Sequence, residues 1–140
     1  MPAEVLLPAG LVLALDQVSK ALVQSQPNAG RVGSGWRAWI RPVRNPRLGA
    51  GCLRDRRLLV VVWGAAVLGT TWLTQNATAL QEPVAQIGLG AAVGGATGNL
   101  LDALRRGAVV DFIDLRVWPV FNLADVAIVL GVLAALWSLG

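Results

Sequence analysis

The chain has 140 residues, of which 55% are hydrophobic and only 14% charged, and it carries a net charge of +4. Soluble domains carry about a quarter charged residues, so this composition leans towards a membrane protein. With no histidine and a single cysteine, Cys52, the chain cannot form an internal disulfide, a Ser-His-Asp or Cys-His apparatus, or a cysteine-rich zinc site, which leaves acid-base chemistry to carboxylates, Lys20, water or an external cofactor.

Four apolar stretches follow in chain order, at about 5–23, 58–73, 84–104 and 121–139. A helix that crosses a bilayer needs about 20 mainly apolar residues, and within lipid the backbone must bond to itself. The pattern predicts an all-α integral membrane protein, a four-transmembrane-helix bundle formed by one domain over 1–140. The first stretch lacks a basic leader and contains Asp16 and Lys20, so it reads as a span and not as a cleavable signal. Residues 24–57 form a long polar loop rich in Gly, Pro and Arg, with scattered alternation over 32–43 that suits short strands. Trp36 and Trp39 in this loop are expected at the headgroup level, where indole rings prefer to sit. The third stretch is rich in Gly and Ala from Gly88 to Gly98, a pattern that lets helix backbones approach closely in lipid.

Chain direction then sorts the polar residues. The first and third stretches end, and the fourth begins, on the side that carries the long loop. Asp16, Lys20, Asn99, Asp102, Asp111, Asn122 and Asp125 therefore converge at one end of the bundle. An ionisable group in a membrane span costs at least about 2.5–3.5 kcal/mol, so such a convergence marks either a set of mutually satisfied groups or a site. Asp16 and Lys20, spaced i,i+4, suit an intrahelical pair, and Asp102 suits a supporting or capping role. Asp111 and Asp125 fit structural support less well. Asp125 falls near a helix N-terminus, where the dipole favours an anion.

Several blocks, taken together, resemble the lipoprotein signal peptidase (signal peptidase II) family. They are LDQVSK at 15–20, Arg44 and Asn45 followed by Gly49 and Ala50, GGATGNLLD at 94–102, GAVVDFID at 107–114 and WPVFNLAD at 118–125. The resemblance implies a catalytic pair at Asp111 and Asp125 and supporting or substrate-binding roles for Asp16, Lys20, Asn45, Asn99, Asp102 and Asn122. It also implies a small extracytoplasmic β-subdomain in the first loop and a helical flap between the third and fourth spans. The implied activity is an intramembrane aspartic endopeptidase that removes the signal peptide of lipid-modified pre-lipoproteins by cutting before the diacylglyceryl-cysteine. No metal or organic cofactor is expected. The expected partners are the pre-lipoproteins and membrane lipids and not nucleic acid, the chain acting as a monomer in the bacterial cytoplasmic (inner) membrane with its site on the extracytoplasmic side.

Three departures from the family pattern stand out. The spacing from Asn45 to Gly49 is longer and lacks the following aromatic, Ala103 stands where an arginine is usual, and only 115–117 join Asp114 to Trp118. A small transporter and a catalytically silent paralogue are the alternatives. Intramembrane aspartates also serve ion paths, and a continuous polar route through the bundle would favour transport. The arginines raise a further conflict: eight of the eleven lie in the 24–57 loop, and the positive-inside rule places such a loop in the cytoplasm, opposite to the family.

Overall fold

A computed structural model describes residues 1–25, 40–45 and 56–139. In chain order the elements are α1 (Ala3–Gln24), β1 (Ile40–Asn45), α2 (Arg56–Asn76), a 3-10 turn (Thr78–Gln81), α3 (Pro83–Arg106), β2 (Val109–Ile113) and α4 (Leu123–Trp137). Helices α1, α2 and α3 are long and apolar enough to cross a membrane. Helix α4 is apolar but has 15 residues, so it spans only about 22 Å at 1.5 Å per residue, short of a hydrocarbon core about 30 Å thick. The apolar stretch from 121 overstated the helix because Phe121 is tied to a strand and Asn122 caps α4, so the helix begins at Leu123.

Helix α3 is the centre of the bundle, flanked by α1 and α4, with α2 packed less extensively along it. Its small residues sort into two faces. Gly90, Gly94 and Gly98, one turn apart, lie against Val5, Ala9 and Asp16 of α1. Gly88 and Gly95, two turns apart, lie against Gly131 and Ala124 of α4. Lipid tails are as apolar as Leu, so helices gain little from burying apolar surface against each other, and close backbone packing supplies the attraction instead. Helix α2 is pinned by the Trp63 Nε1 donor to Thr97 Oγ1 at 3.0 Å. Leu7, Leu11, Val61, Leu68 and Trp72 lie exposed on the outside of the bundle, as a lipid-facing surface requires.

The two strands pair antiparallel, Val43 opposite Asp111 and Asn45 opposite Val109. The register shifts between Ile40 and Val43, where Pro42 has no N–H to give to the ladder. One strand therefore comes from the first connection and the other from the third, so the sheet joins two connections and is not built within the first loop alone. The expected helical flap is absent: residues 107–122 hold β2 and a return that doubles back on it. Phe112 N and Ile113 N donate to Phe121 O at 3.0 and 2.8 Å, and Phe121 N donates to Ile113 O at 3.1 Å. Asp114 Oδ1 accepts the Arg116 N–H at 2.9 Å and fastens the turn, within which Arg116 has a positive φ of 66°. A connection this short, beginning in a paired strand, leaves no room for a helix.

Candidate active site

Two local devices bring the polar end of the bundle together. Helix α3 ends at Gly107, whose left-handed φ of 71° suits glycine and turns the chain into β2. Helix α4 starts with a reciprocal cap: Asp125 N donates to Asn122 Oδ1 at 2.9 Å, and Asn122 N donates to Asp125 Oδ2 at 3.1 Å. The return from Ile113 to Phe121 sets this cap beside β2. In consequence Asp111, on β2, and Asp125, in the first turn of α4, belong to one hydrogen-bonded group.

Asn122 is wholly buried, and its Nδ2 donates to Asp111 Oδ1 at 2.8 Å, with Asn99 Oδ1 at 3.0 Å and Val110 O at 3.3 Å also in reach. Asn99, from α3, donates through Nδ2 to Asp125 Oδ1 at 2.8 Å. Both predicted catalytic carboxylates thus receive an amide N–H, and the two amides touch each other. Asp111 is buried, whereas Asp125 is partly accessible.

Behind the amides lies an ion cluster at zero exposure. Lys20 Nζ stands 2.7 Å from Asp16 Oδ2 and 2.8 Å from Asp102 Oδ2, and donates to Asn99 Oδ1 at 3.1 Å. An ammonium has three donors and no acceptor, so all three of its protons are used. Asp16 Oδ1 accepts the Ala124 N–H at 3.1 Å, which serves one of the free N–H groups that open α4. Asp102 Oδ2 lies 3.5 Å from the Val110 N–H, a long contact, and Asp102 Oδ1 accepts from Arg106.

Of the predicted site residues, Asp16, Lys20, Asn99, Asp102, Asp111, Asn122 and Asp125 are joined in this network. The exception is Asn45: its backbone closes β1 opposite Val109, but its side chain, like Trp36, Trp39, Gly49 and Ala50, lies outside the described residues. Two participants had no role assigned from sequence. Gln17 Nε2 reaches Asp16 Oδ2, Asp102 Oδ1 and Gly98 O at 3.2–3.4 Å. Arg106 partners Asp102 one turn along α3; the i,i+4 spacing carried that signal, and it supplies a guanidinium although residue 103 is alanine.

Next to the site, a groove of about 470 Å³ runs between α1, α3 and α4, lined by Val12, Leu15, Ile87, Ala91, Leu123 and Val126 among others. Its lining is almost wholly apolar. Leu15 and Leu123 at its near end adjoin Asp16 and Asn122 in sequence. Below the polar cluster, α3 carries only Gly, Ala, Val, Leu and Ile between Gln86 and Thr97, and Thr97 is occupied with Trp63 and Val93 O. Among the described residues, the buried charged side chains Asp16, Lys20, Asp102, Asp111 and Asp114 all lie at the one end of the bundle.

Comparison with known proteins gives this arrangement a family. The sequence model of the family described as "Signal peptidase (SPase) II" matches residues 9–139. The lipoprotein signal peptidase of Moorella thermoacetica is 43% identical over 138 residues, covering 96% of this chain and 91% of that protein. The lipoprotein signal peptidase of Pelotomaculum thermopropionicum is 38% identical over 133 residues, covering 92% and 86%. A solved bacterial membrane enzyme superposes with a TM-score of 0.78 at 25% identity, covering 95% of this chain and 85% of that one. With its apolar helices, its small sheet and a match that runs through almost every residue, the chain belongs to the signal peptidase II family of bacterial membrane peptidases.

Proposed function

We propose that the chain is an aspartic endopeptidase that cleaves lipid-modified pre-lipoproteins immediately before the diacylglyceryl-cysteine, with Asp111 and Asp125 as its reacting pair. Membership of the family supports signal-peptide cleavage of lipoproteins. The observation that carries the finer reading is the placement of Asp111 and Asp125 on separate elements, each holding an amide N–H from Asn122 or Asn99. Two neighbouring carboxylates cannot both ionise easily, so such a pair shares a proton. The ionised member takes a proton from water as that water attacks the scissile carbonyl. The protonated member polarises the carbonyl and then protonates the leaving amine. The amides of Asn99 and Asn122 hold the carboxylates in orientation. The apolar groove supports a lipid-linked substrate, since acyl chains can lie between helices at this depth. A path for ions lacks comparable support, because among the described residues the buried charged groups lie at one end of the bundle. The chain acts as a monomer in the inner membrane, with the site on the extracytoplasmic side.

The test is cleavage of a purified lipidated pre-lipoprotein, followed by mass analysis of the products, for the parent, Asp111→Asn and Asp125→Asn. The parent is expected to release a product beginning at the modified cysteine, and both variants to lose turnover, because an amide cannot accept the proton from water. Near-parental cleavage by either variant removes that residue from the reacting pair. The sequence alone suggests that both variants keep or gain stability through relief of like-charge repulsion. The hydrogen bonds at Asp125 change that expectation for one of them. Both Asp125 oxygens accept N–H donors, so an Asn there must turn its own NH₂ against one of them, and Asp125→Asn is expected to lose about 1 kcal/mol.

A further inference from the structure

The buried ions Asp16, Lys20 and Asp102 take no part in the proton transfers just described, yet each points at the machinery that does. Asp16 Oδ1 holds the N–H of Ala124, the residue immediately before Asp125. Asp102 Oδ2 approaches the N–H of Val110, the residue immediately before Asp111. Lys20 Nζ sits between Asp16 Oδ2 and Asp102 Oδ2 at 2.7 and 2.8 Å and so sets their separation. One ammonium thereby links the carboxylate that holds the Ala124 N–H to the carboxylate that approaches the Val110 N–H.

The third Lys20 proton fixes a direction as well. An ammonium only donates, so Asn99 must turn its Oδ1 towards Lys20, which leaves its Nδ2 facing Asp125 Oδ1. If Asn99 were reversed, two donors would face each other at the lysine and a carbonyl would face a carboxylate at the dyad. A buried ion cluster is a poor source of stability, because desolvation offsets the attraction between its members. Charge neutrality alone would not require either contact to the backbone, nor a third proton directed at Asn99.

We propose that Lys20 is a positioning residue for the peptidase reaction: through Asp16 and Asp102 it sets the spacing of the segments bearing Asp125 and Asp111, and through Asn99 it fixes the amide that orients Asp125. The inference rests on the reading of Asp111 and Asp125 as the reacting pair. The contacts of Lys20 are to Asp16, Asp102 and Asn99, the groups that hold the dyad segments, so its effect is on the turnover step and not on substrate capture. Misplacement of reacting groups by 1 Å costs about 100-fold in rate, which sets the size expected.

The experiment measures kcat and KM for a lipidated pre-lipoprotein with the full-length protein in lipid, comparing the parent with Lys20→Met and Asn99→Asp. Cleavage by the parent reads the peptidase assignment by itself, separately from the variants. Lys20→Met keeps the stem and removes the charge. It is expected to lower kcat by about 100-fold with KM changed by less than about threefold. A folded Lys20→Met protein with kcat within about threefold of the parent, or one that loses only KM, overturns the proposal. Should Lys20→Met fail to fold, Asn99→Asp decides. It keeps the shape and the acceptor for Lys20 but removes the donor to Asp125, so kcat is expected to fall while KM holds. An Asn99→Asp protein with parental kcat overturns the proposal.

Discussion

Asn122 has two jobs that a single deletion cannot separate. Its Oδ1 caps α4 and its Nδ2 reaches Asp111 and Asn99. Replacing a cap of this kind by alanine costs about 1 kcal/mol, and serine is an equally good cap. Serine is too short, however, to supply the amide that reaches Asp111. Asn122→Ala is therefore expected to melt earlier and to lose turnover, whereas Asn122→Ser recovers most of the stability and none of the turnover. Thermal melts in detergent and cleavage rates for the two variants check this. Recovery of turnover in Asn122→Ser would show that capping is the residue's whole contribution.

Between the helices, the fit of α1 against α3 depends on what the glycines leave out. A Cβ on Gly98 would stand 2.5 Å from Asp16 Oδ2 and 3.2 Å from its Cγ, inside contact distance of the carboxylate that holds Lys20 and Ala124. Alanine gains up to about 1 kcal/mol over glycine in helix propensity, but here the methyl displaces a buried, fully bonded ion. Gly98→Ala is expected to lower the cleavage rate at least about tenfold through the shifted dyad segments. Gly69 on α2 offers the contrast, because among the described residues nothing lies within 4 Å of its Cβ position. Gly69→Ala is expected to leave cleavage unchanged and to stabilise the helix by at most about 1 kcal/mol. Equal effects of the two substitutions on the cleavage rate would remove the special role of the α1–α3 contact.

Across the whole molecule, two rules disagree about which way the bundle sits. The charge count places the arginine-rich side inside, while the function proposed above places the Asp111 and Asp125 side outside. The outward orientation proposed above rests on the site motifs, which are more specific than a charge count, and a loop that lies on anionic headgroups can use its arginines there. Val117 is 90% exposed at the tip of the return between β2 and α4, on the dyad side. In a protein with Cys52→Ser, Val117→Cys is expected to react with a membrane-impermeant maleimide added to intact cells. Protection in intact cells with labelling after lysis would place the site on the cytoplasmic side. The same tip exposes Trp118 at 69%, an amphipathic ring suited to the interface.

The sequence by itself determined the membrane class, the order of the spans and the end of the bundle at which the polar residues gather. These follow from one-dimensional rules: spans are set by runs of apolar residues, and their alternating direction decides which polar residues share a side. The spacing of Asp16 and Lys20 likewise disclosed their pair. Only the tertiary structure decided the rest. That β1 pairs with a strand from the third connection depends on contacts between segments far apart in the chain, and no local pattern in 109–113 separates a strand from the flap the family suggests. The two glycine faces of α3 emerge only when α1 and α4 are set against it. Lys20 was legible as the partner of Asp16, yet its contacts with Asp102 and Asn99 join α1 to α3. Sequence spacing can align side chains on one helix; the distance and direction between helices come from packing, and it is packing that brings the Lys20 ammonium to Asp102 and Asn99 of α3.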